Sequence, residues 1–128
     1  MNIAAIAQPV AFLCGTKGLN GPEEVLYFEL MTRKIEPVLI EDLYCHPENL
    51  KALPEQEIRT VVLCITAQSG TGLDKAISFF LSLDYVLENI IFLFADPVFR
   101  TLRHYTRKHA GLKAYEWYMG NQLEELSF

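Results

Sequence analysis

Short apolar runs and amphipathic stretches alternate along the chain. The first run, Val10–Cys14, stops at a glycine-containing loop. Its length and composition predict a strand that is buried on both faces. Pro22 and the two acids after it are typical of a helix start, apolar positions then recur at helical spacing, and the cations at 33 and 34 suit a helix end. We therefore predict a helix between this strand and the next.

The rest of the chain repeats this alternation. Residues 35–40 are predicted as a strand, and Pro37 within them favours a position at the sheet edge. Residues 41–56 contain two prolines and predict an irregular connection with a helical turn at 47–53. The later elements are predicted as strands at 60–66 and 90–95, helices at 73–88 and 96–109, a short strand at 112–115 and a final helix at 116–126.

Buried strands that alternate with helices predict a mainly parallel sheet whose two faces are covered by right-handed crossovers. We expect a three-layer α/β/α fold, Rossmann- or flavodoxin-like, with four to five mainly parallel strands in the order 2-1-3-4(-5). A chain of 128 residues fits one domain, residues 1–128, with one real core.

Composition and charge limit the partners and the cellular location that can be expected. The net charge of −5, from 16 acids and 11 bases, disfavours nucleic-acid binding except at a local basic patch. The chain has three widely spaced cysteines and no secretory or membrane-spanning pattern. These features predict a reduced, cytoplasmic protein that contacts no membrane.

In an open parallel sheet, ligands bind beyond the carboxyl ends of the strands, where the strand order reverses. The predicted order places this crevice between the first and third strands, bordered by loops 14–21 and 66–72. Glycines and hydroxyls in these loops suit a phosphate-bearing anion. Neither loop matches a P-loop or dinucleotide fingerprint, and ordinary turns and helix caps explain the same residues. The candidate ligands are Thr16, Lys17, Gly18, Ser69, Gly70 and Thr71.

A basic stretch adds to the predicted site. Residues 97–115 contain no acid and hold five of the 11 bases. Arg100 falls in the first turn of the predicted helix, where a cation opposes the helix dipole. A bound anion near Arg100 and Arg103 would explain this placement. The alternatives are that Asp96 pairs with the arginine or that the helix is a solvated basic face.

Other reactive residues predict no chemistry. Cys14 ends a strand before a glycine loop, as a nucleophile would, but the arginine of a phosphatase loop is missing, so we expect a small core residue. Asp42 and His46 could share one side of a turn beside Cys45, yet no third metal ligand has usable spacing. We predict no catalytic residue, no metal and no cofactor, which leaves enzymatic activity undecided.

Helix 73–88 is apolar around nearly its whole circumference. Such a helix is enclosed by its own domain or packs on another subunit. We therefore predict a homodimer, formed through this helix or through the aromatic tail around Tyr115, Trp117 and Tyr118.

The element order, with a strand that runs into a hydroxyl- and glycine-containing loop, resembles small Rossmann-type sensing domains, including those that bind cyclic oligonucleotides in prokaryotic defence. This resemblance implies a sensory domain. Two functions are expected as alternatives. One is a binding or sensory domain for a phosphate-bearing ligand, in particular a nucleotide. The other is a non-enzymatic assembly subunit with no small-molecule site.

Overall fold

The computed structural model describes residues 1–19, 21–64, 79, 82–93, 112–117 and 120–126. A single six-stranded sheet in the order β2-β1-β3-β4-β5-β6 forms its centre. The first five strands along this order pair in parallel, and β6 is antiparallel to β5. The strands are β1 (Val10–Cys14), β2 (Val38–Ile40), β3 (Thr60–Cys64), β4 (Asn89–Leu93), β5 (Lys113–Trp117) and β6 (Glu124–Leu126).

Apolar side chains cover both faces of the sheet because the central strands are apolar at successive positions. All five residues of β1 are buried. Phe12 belongs to one apolar cluster, together with Leu26 and Leu30. Leu13, the next residue, belongs to the other, together with Leu50 and Leu53. This alternation is what a strand gives when the sheet is covered on both sides.

The longest described helix, α1 (Gly21–Thr32), follows β1 and has Glu23 and Glu24 in its first turn. Acids at this end complement the helix dipole. The chain then reaches β2 and passes through a 3₁₀ helix, Pro47–Lys51, into the short helix α2 (Ala52–Glu55). Leu26 and Leu30 of α1 pack on one face of the sheet, and Leu53 of α2 packs on the other.

Several predicted elements are confirmed. The first strand has the predicted bounds, and the order 2-1-3-4-5 is observed. The strand β2 lies at the sheet edge as predicted, but it begins after Pro37 and is shorter than the predicted 35–40. The helical turn predicted at 47–53 is present as the 3₁₀ helix and α2. The predicted helix at 96–109 lies outside the described residues.

The C-terminal prediction is wrong. A final helix was expected at 116–126, and four to five strands in all, but residues 113–117 and 124–126 are β5 and β6, which brings the sheet to six strands. Gly120, with φ of 86°, lies in the connection where the chain reverses, a conformation that glycine adopts without steric cost. Tyr115 and Trp117 alternate into the same core at two-residue spacing, as strand residues do.

The aromatic residues of β5 were also expected to form a dimer surface. Trp117 is fully buried, Tyr115 is 6% exposed, and the Trp117 indole donates a hydrogen bond to the Gly120 carbonyl at 2.9 Å. These two aromatic side chains serve the core of their own chain, so they offer no surface to a partner. Tyr118 lies outside the described residues.

The predicted helix at 73–88 ends earlier than expected. Phe79 and Ser82 are helical, but residues 84–88 are not. Asp84 adopts a φ of 50°, in the left-handed region that commonly ends a helix. Leu87 then enters the core just before β4. The other residues of this predicted helix lie outside the described part of the chain, so the dimer expected through it stays a prediction.

Among the described helices, none combines the length and the apolar character needed to cross a bilayer.

Phe12 provides a test of the two-sided core. Its ring is fully buried and meets the Tyr27 ring edge to face at 5.7 Å. We expect Phe12→Ala to lower the free energy of unfolding by about 3–5 kcal/mol, the usual cost of a large core cavity. Val86→Ala, at a side chain that is 46% exposed, is the control and is expected to change it by about 0.5 kcal/mol or less. If chemical denaturation showed equal losses of stability for the two variants, the buried position of Phe12 would be contradicted.

Candidate functional site

The strand order reverses at β1. The chain leaves β1 for β2 on one side, and later returns to place β3 on the other side. Cys14 and Cys64, the last residues of β1 and β3, are direct neighbours in the parallel register. These two strands therefore end side by side at the carboxyl edge of the sheet, which is where open parallel sheets bind ligands.

Three backbone hydrogen bonds join the loop after β1 to the loop after β2. The N–H of Leu43 donates to the Cys14 carbonyl at 3.1 Å, and the N–H of Tyr44 donates to the Gly15 carbonyl at 2.9 Å. The N–H of Asp42 donates to Thr16 at 3.1 Å. Because backbone groups hold these loops together, the side chains beyond β1 project from a supported segment.

Gly18 supplies a backbone donor at this edge. Its φ is 84°, in the left-handed region that favours glycine. Its N–H donates a hydrogen bond to Oε2 of Glu41, the residue directly after β2. A carboxylate oxygen therefore already lies where the Gly18 amide would meet an anionic ligand.

Thr16 and Lys17 are exposed, as is Gly18 after them, whereas Gly15 before them is buried. Neither side chain has a hydrogen-bond or ion-pair partner among the residues that the structure describes. A hydroxyl, an ammonium group and a backbone N–H thus follow one another along three residues, a donor set that suits phosphate oxygens.

The structure brings Thr16, Lys17 and Gly18 to the reversal point, as their place after β1 requires. Five other predicted site residues lie outside the described residues, so their positions stay predictions: Ser69, Gly70, Thr71, Arg100 and Arg103.

Tyr44 and Glu41 also lie at this edge, although neither was predicted there. Tyr44 packs its ring against Gly15 so closely that a Cβ on this glycine would overlap the ring. Glu41 reaches Gly18 across 23 positions of sequence. The available signal was positional, since a polar residue directly after an edge strand lies beside the loop of the neighbouring parallel strand.

His46 lies between two carboxylates on the exposed side of the loop after β2. Its Nδ1 is 3.0 Å from Oε1 of Glu48, and its Nε2 is 3.8 Å from Oδ2 of Asp42. A backbone hydrogen bond, and then the hydrogen bond from His46, hold the pKa of Glu48 below its usual value. The described part of the chain contains no group of three residues able to hold a metal ion.

The structure confirms the core position that was predicted for Cys14. Cys14 is 1% exposed and belongs to the apolar cluster beneath α1, as predicted for a core residue. Cys45 is a free, exposed thiol in the loop after β2.

An open cleft of about 400 Å³ lies elsewhere, along edge strand β2. Its walls come from β2, the 3₁₀ helix and α2, and three of its lining residues are the acids Glu41, Glu48 and Glu55. This cleft is distinct from the predicted crevice between β1 and β3, and Glu41 borders both places.

No family model, curated protein or solved structure matches this chain. The chemistry of the candidate site therefore follows from its own residues.

The contact between Gly15 and Tyr44 can be tested by a double-mutant cycle. Gly15→Ala is expected to lower the free energy of unfolding by about 1–3 kcal/mol, because the new methyl group overlaps the Tyr44 ring. In a Tyr44→Ala background the same change should cost much less. Gly21→Ala is the control, since a Cβ there meets nothing within 4 Å. Additive losses at positions 15 and 44 would contradict the packing.

Proposed function

We propose that this chain is a binding or sensory domain for a phosphate-bearing small molecule, in particular a nucleotide. The ligand would lie at the carboxyl edge of the sheet, over the ends of β1 and β3. The observation that carries the proposal is the Gly18 N–H, which already binds a carboxylate oxygen. An amide oriented toward one oxyanion is oriented for another.

The proposed ligand replaces the Glu41 carboxylate at Gly18. Phosphate oxygens would accept from the Gly18 N–H, the Thr16 hydroxyl and the Lys17 ammonium. Glu41 moves aside in this exchange because two anions at one donor repel each other. The contact between Glu41 and Gly18 then marks the unliganded state, and its loss is the signal of a sensor.

The other residues predicted to bind the ligand follow the next two strands of the sheet. Ser69, Gly70 and Thr71 follow β3, and Arg100 and Arg103 follow β4. Because parallel strands end at the same edge, residues 69–71 follow the strand next to β1, and Arg100 and Arg103 follow the strand beyond it. We infer that they complete the anion site from the other side.

We infer that residues 1–128 form one domain with a three-layer α/β/α architecture of the Rossmann- or flavodoxin-like kind. Apolar clusters on both faces of the sheet support this inference, as does the crossover through α1. The proposed function requires no catalytic residue and no cofactor, and it suits a cytoplasmic protein that meets cellular nucleotides.

Lys17 tests the proposal. A panel of nucleotides should include one that raises the melting temperature, and Lys17→Ala should weaken its binding by roughly tenfold or more because a charge-assisted hydrogen bond is lost. Arg100→Ala should do the same. The matched control is Lys113→Ala, since Lys113 is exposed at the amino end of β5, the opposite edge of the sheet.

The response to the panel separates the two expected functions. The proposed ligand site is wrong if no anionic ligand shifts the melting temperature. It is also wrong if Lys17→Ala and Lys113→Ala change ligand binding equally. That result would favour the alternative, an assembly subunit without a small-molecule site.

A substitution at Glu41 gives a second test, in which nucleotide binding is expected to strengthen rather than weaken. Glu41→Gln keeps an oxygen that can accept from Gly18 but removes the negative charge. Binding of the nucleotide found by the panel should therefore strengthen several-fold, as measured by isothermal titration calorimetry. Glu55→Gln is the control, because it removes an acid from the cleft along β2 and leaves Gly18 unchanged. Weaker binding in Glu41→Gln would contradict the exchange of carboxylate for phosphate.

A further inference from the structure

Helix α1 is apolar on two opposite sides. Leu26 and Leu30 are fully buried against the sheet. On the other side Val25 is 40% exposed, Phe28 is 64% exposed and Met31 is 41% exposed. Residues three apart are neighbours on a helix surface, so these three side chains form one exposed stripe. A single helix of a monomer needs only one apolar side.

The edge strand adds to the same face of the sheet. Leu39 of β2 is the register partner of Phe12, so the two side chains leave the sheet on the same side. Phe12 packs in the cluster that contains the buried residues of α1, whereas Leu39 is 38% exposed. We call Val25, Phe28, Met31 and Leu39 the α1 patch. Exposed apolar side chains grouped on one face of a protein mark association sites.

The charges around the α1 patch differ at its two ends. Glu24 is exposed in the first turn, and Lys34 is exposed just beyond the last turn. Neither has an ion-pair partner among the described residues. Glu29 and Arg33, between them along the chain, form a 2.6 Å pair with each other. The stripe thus has an acid at one end, a base at the other and apolar side chains between.

We propose that the α1 patch binds a second copy of this chain, with the two α1 helices antiparallel. Reversal brings Glu24 of each copy toward Lys34 of the other, and it also opposes the two helix dipoles favourably. A parallel pair would place like charges together. With the two-fold axis near Phe28, Val25 faces Met31 of the second copy and the two Phe28 rings meet at the centre.

The size of the α1 patch sets the strength of this association. Stable interfaces bury about 800 Å² per partner, and four half-exposed side chains supply less apolar area than that. We therefore expect a reversible dimer that forms in the micromolar range. The inference does not depend on the proposed ligand, because the α1 patch and the Thr16–Gly18 segment use different residues.

The first experiment measures the mass of the full chain by sedimentation from low micromolar to several hundred micromolar. The wild-type mass should rise toward that of a dimer. Phe28→Glu should raise the dissociation constant at least about tenfold, because two carboxylates would meet at the two-fold axis. Val86→Glu is the matched control, since it puts the same charge on another exposed apolar residue, 46% exposed and outside α1. Circular dichroism of both variants is needed as a check that they fold.

The second experiment tests the antiparallel arrangement by charge exchange. Glu24→Lys and Lys34→Glu should each weaken association several-fold at low salt, and the double variant should restore it. Lys34 has a φ of 61°, which costs a lysine and a glutamate about the same.

Three results would overturn the inference. A monomer at every concentration excludes self-association through the α1 patch. Equal loss in Phe28→Glu and Val86→Glu, or loss in neither, places the interface elsewhere, for example on the segment 73–88. Additive weakening in the charge-exchange double variant excludes the antiparallel pairing.

Discussion

β1 is apolar at all five of its positions, and such a strand is stable only when both of its faces are covered. The chain meets this constraint with α1 on one face and with the 3₁₀ helix and α2 on the other. Covering both faces requires crossovers between parallel strands, and parallel strands end at a common edge. The buried centre of the sheet therefore determines where its loops lie, and so where a ligand can bind.

At this edge the protein uses its backbone more than its side chains. The loops after β1 and β2 are joined by three N–H to carbonyl bonds, and a fourth donor, the Gly18 amide, meets the Glu41 carboxylate. Supported loops leave the exposed donors of Thr16 and Lys17 available to a ligand, because ordering the segment costs little further entropy on binding. The same Glu41 carboxylate gives the site a competing internal anion.

The elements that could be predicted are those determined by residues close together in the sequence. The run Val10–Cys14 needs burial on both faces, and Pro37 favours an edge position, so both features can be recognised within a short stretch of sequence. β6 was missed because its residues, Glu-Glu-Leu, have little strand preference of their own and become a strand by pairing with β5. The contact of Glu41 with Gly18 was missed for a related reason, since it joins residues that only the fold makes neighbours.

The central claim is that the Gly18 amide is part of an anion site, and amide NMR of the full chain measures it most directly. The spectrum would be followed during titration with inorganic pyrophosphate and then with ATP. We expect the Lys17 and Gly18 signals to move progressively and to saturate with one affinity, while the signal of the Lys113 amide, at the opposite end of the strands, stays in place. The claim would be contradicted if other amide signals shifted and saturated while those of Lys17 and Gly18 stayed unchanged. It would also be contradicted if no signal shifted at all.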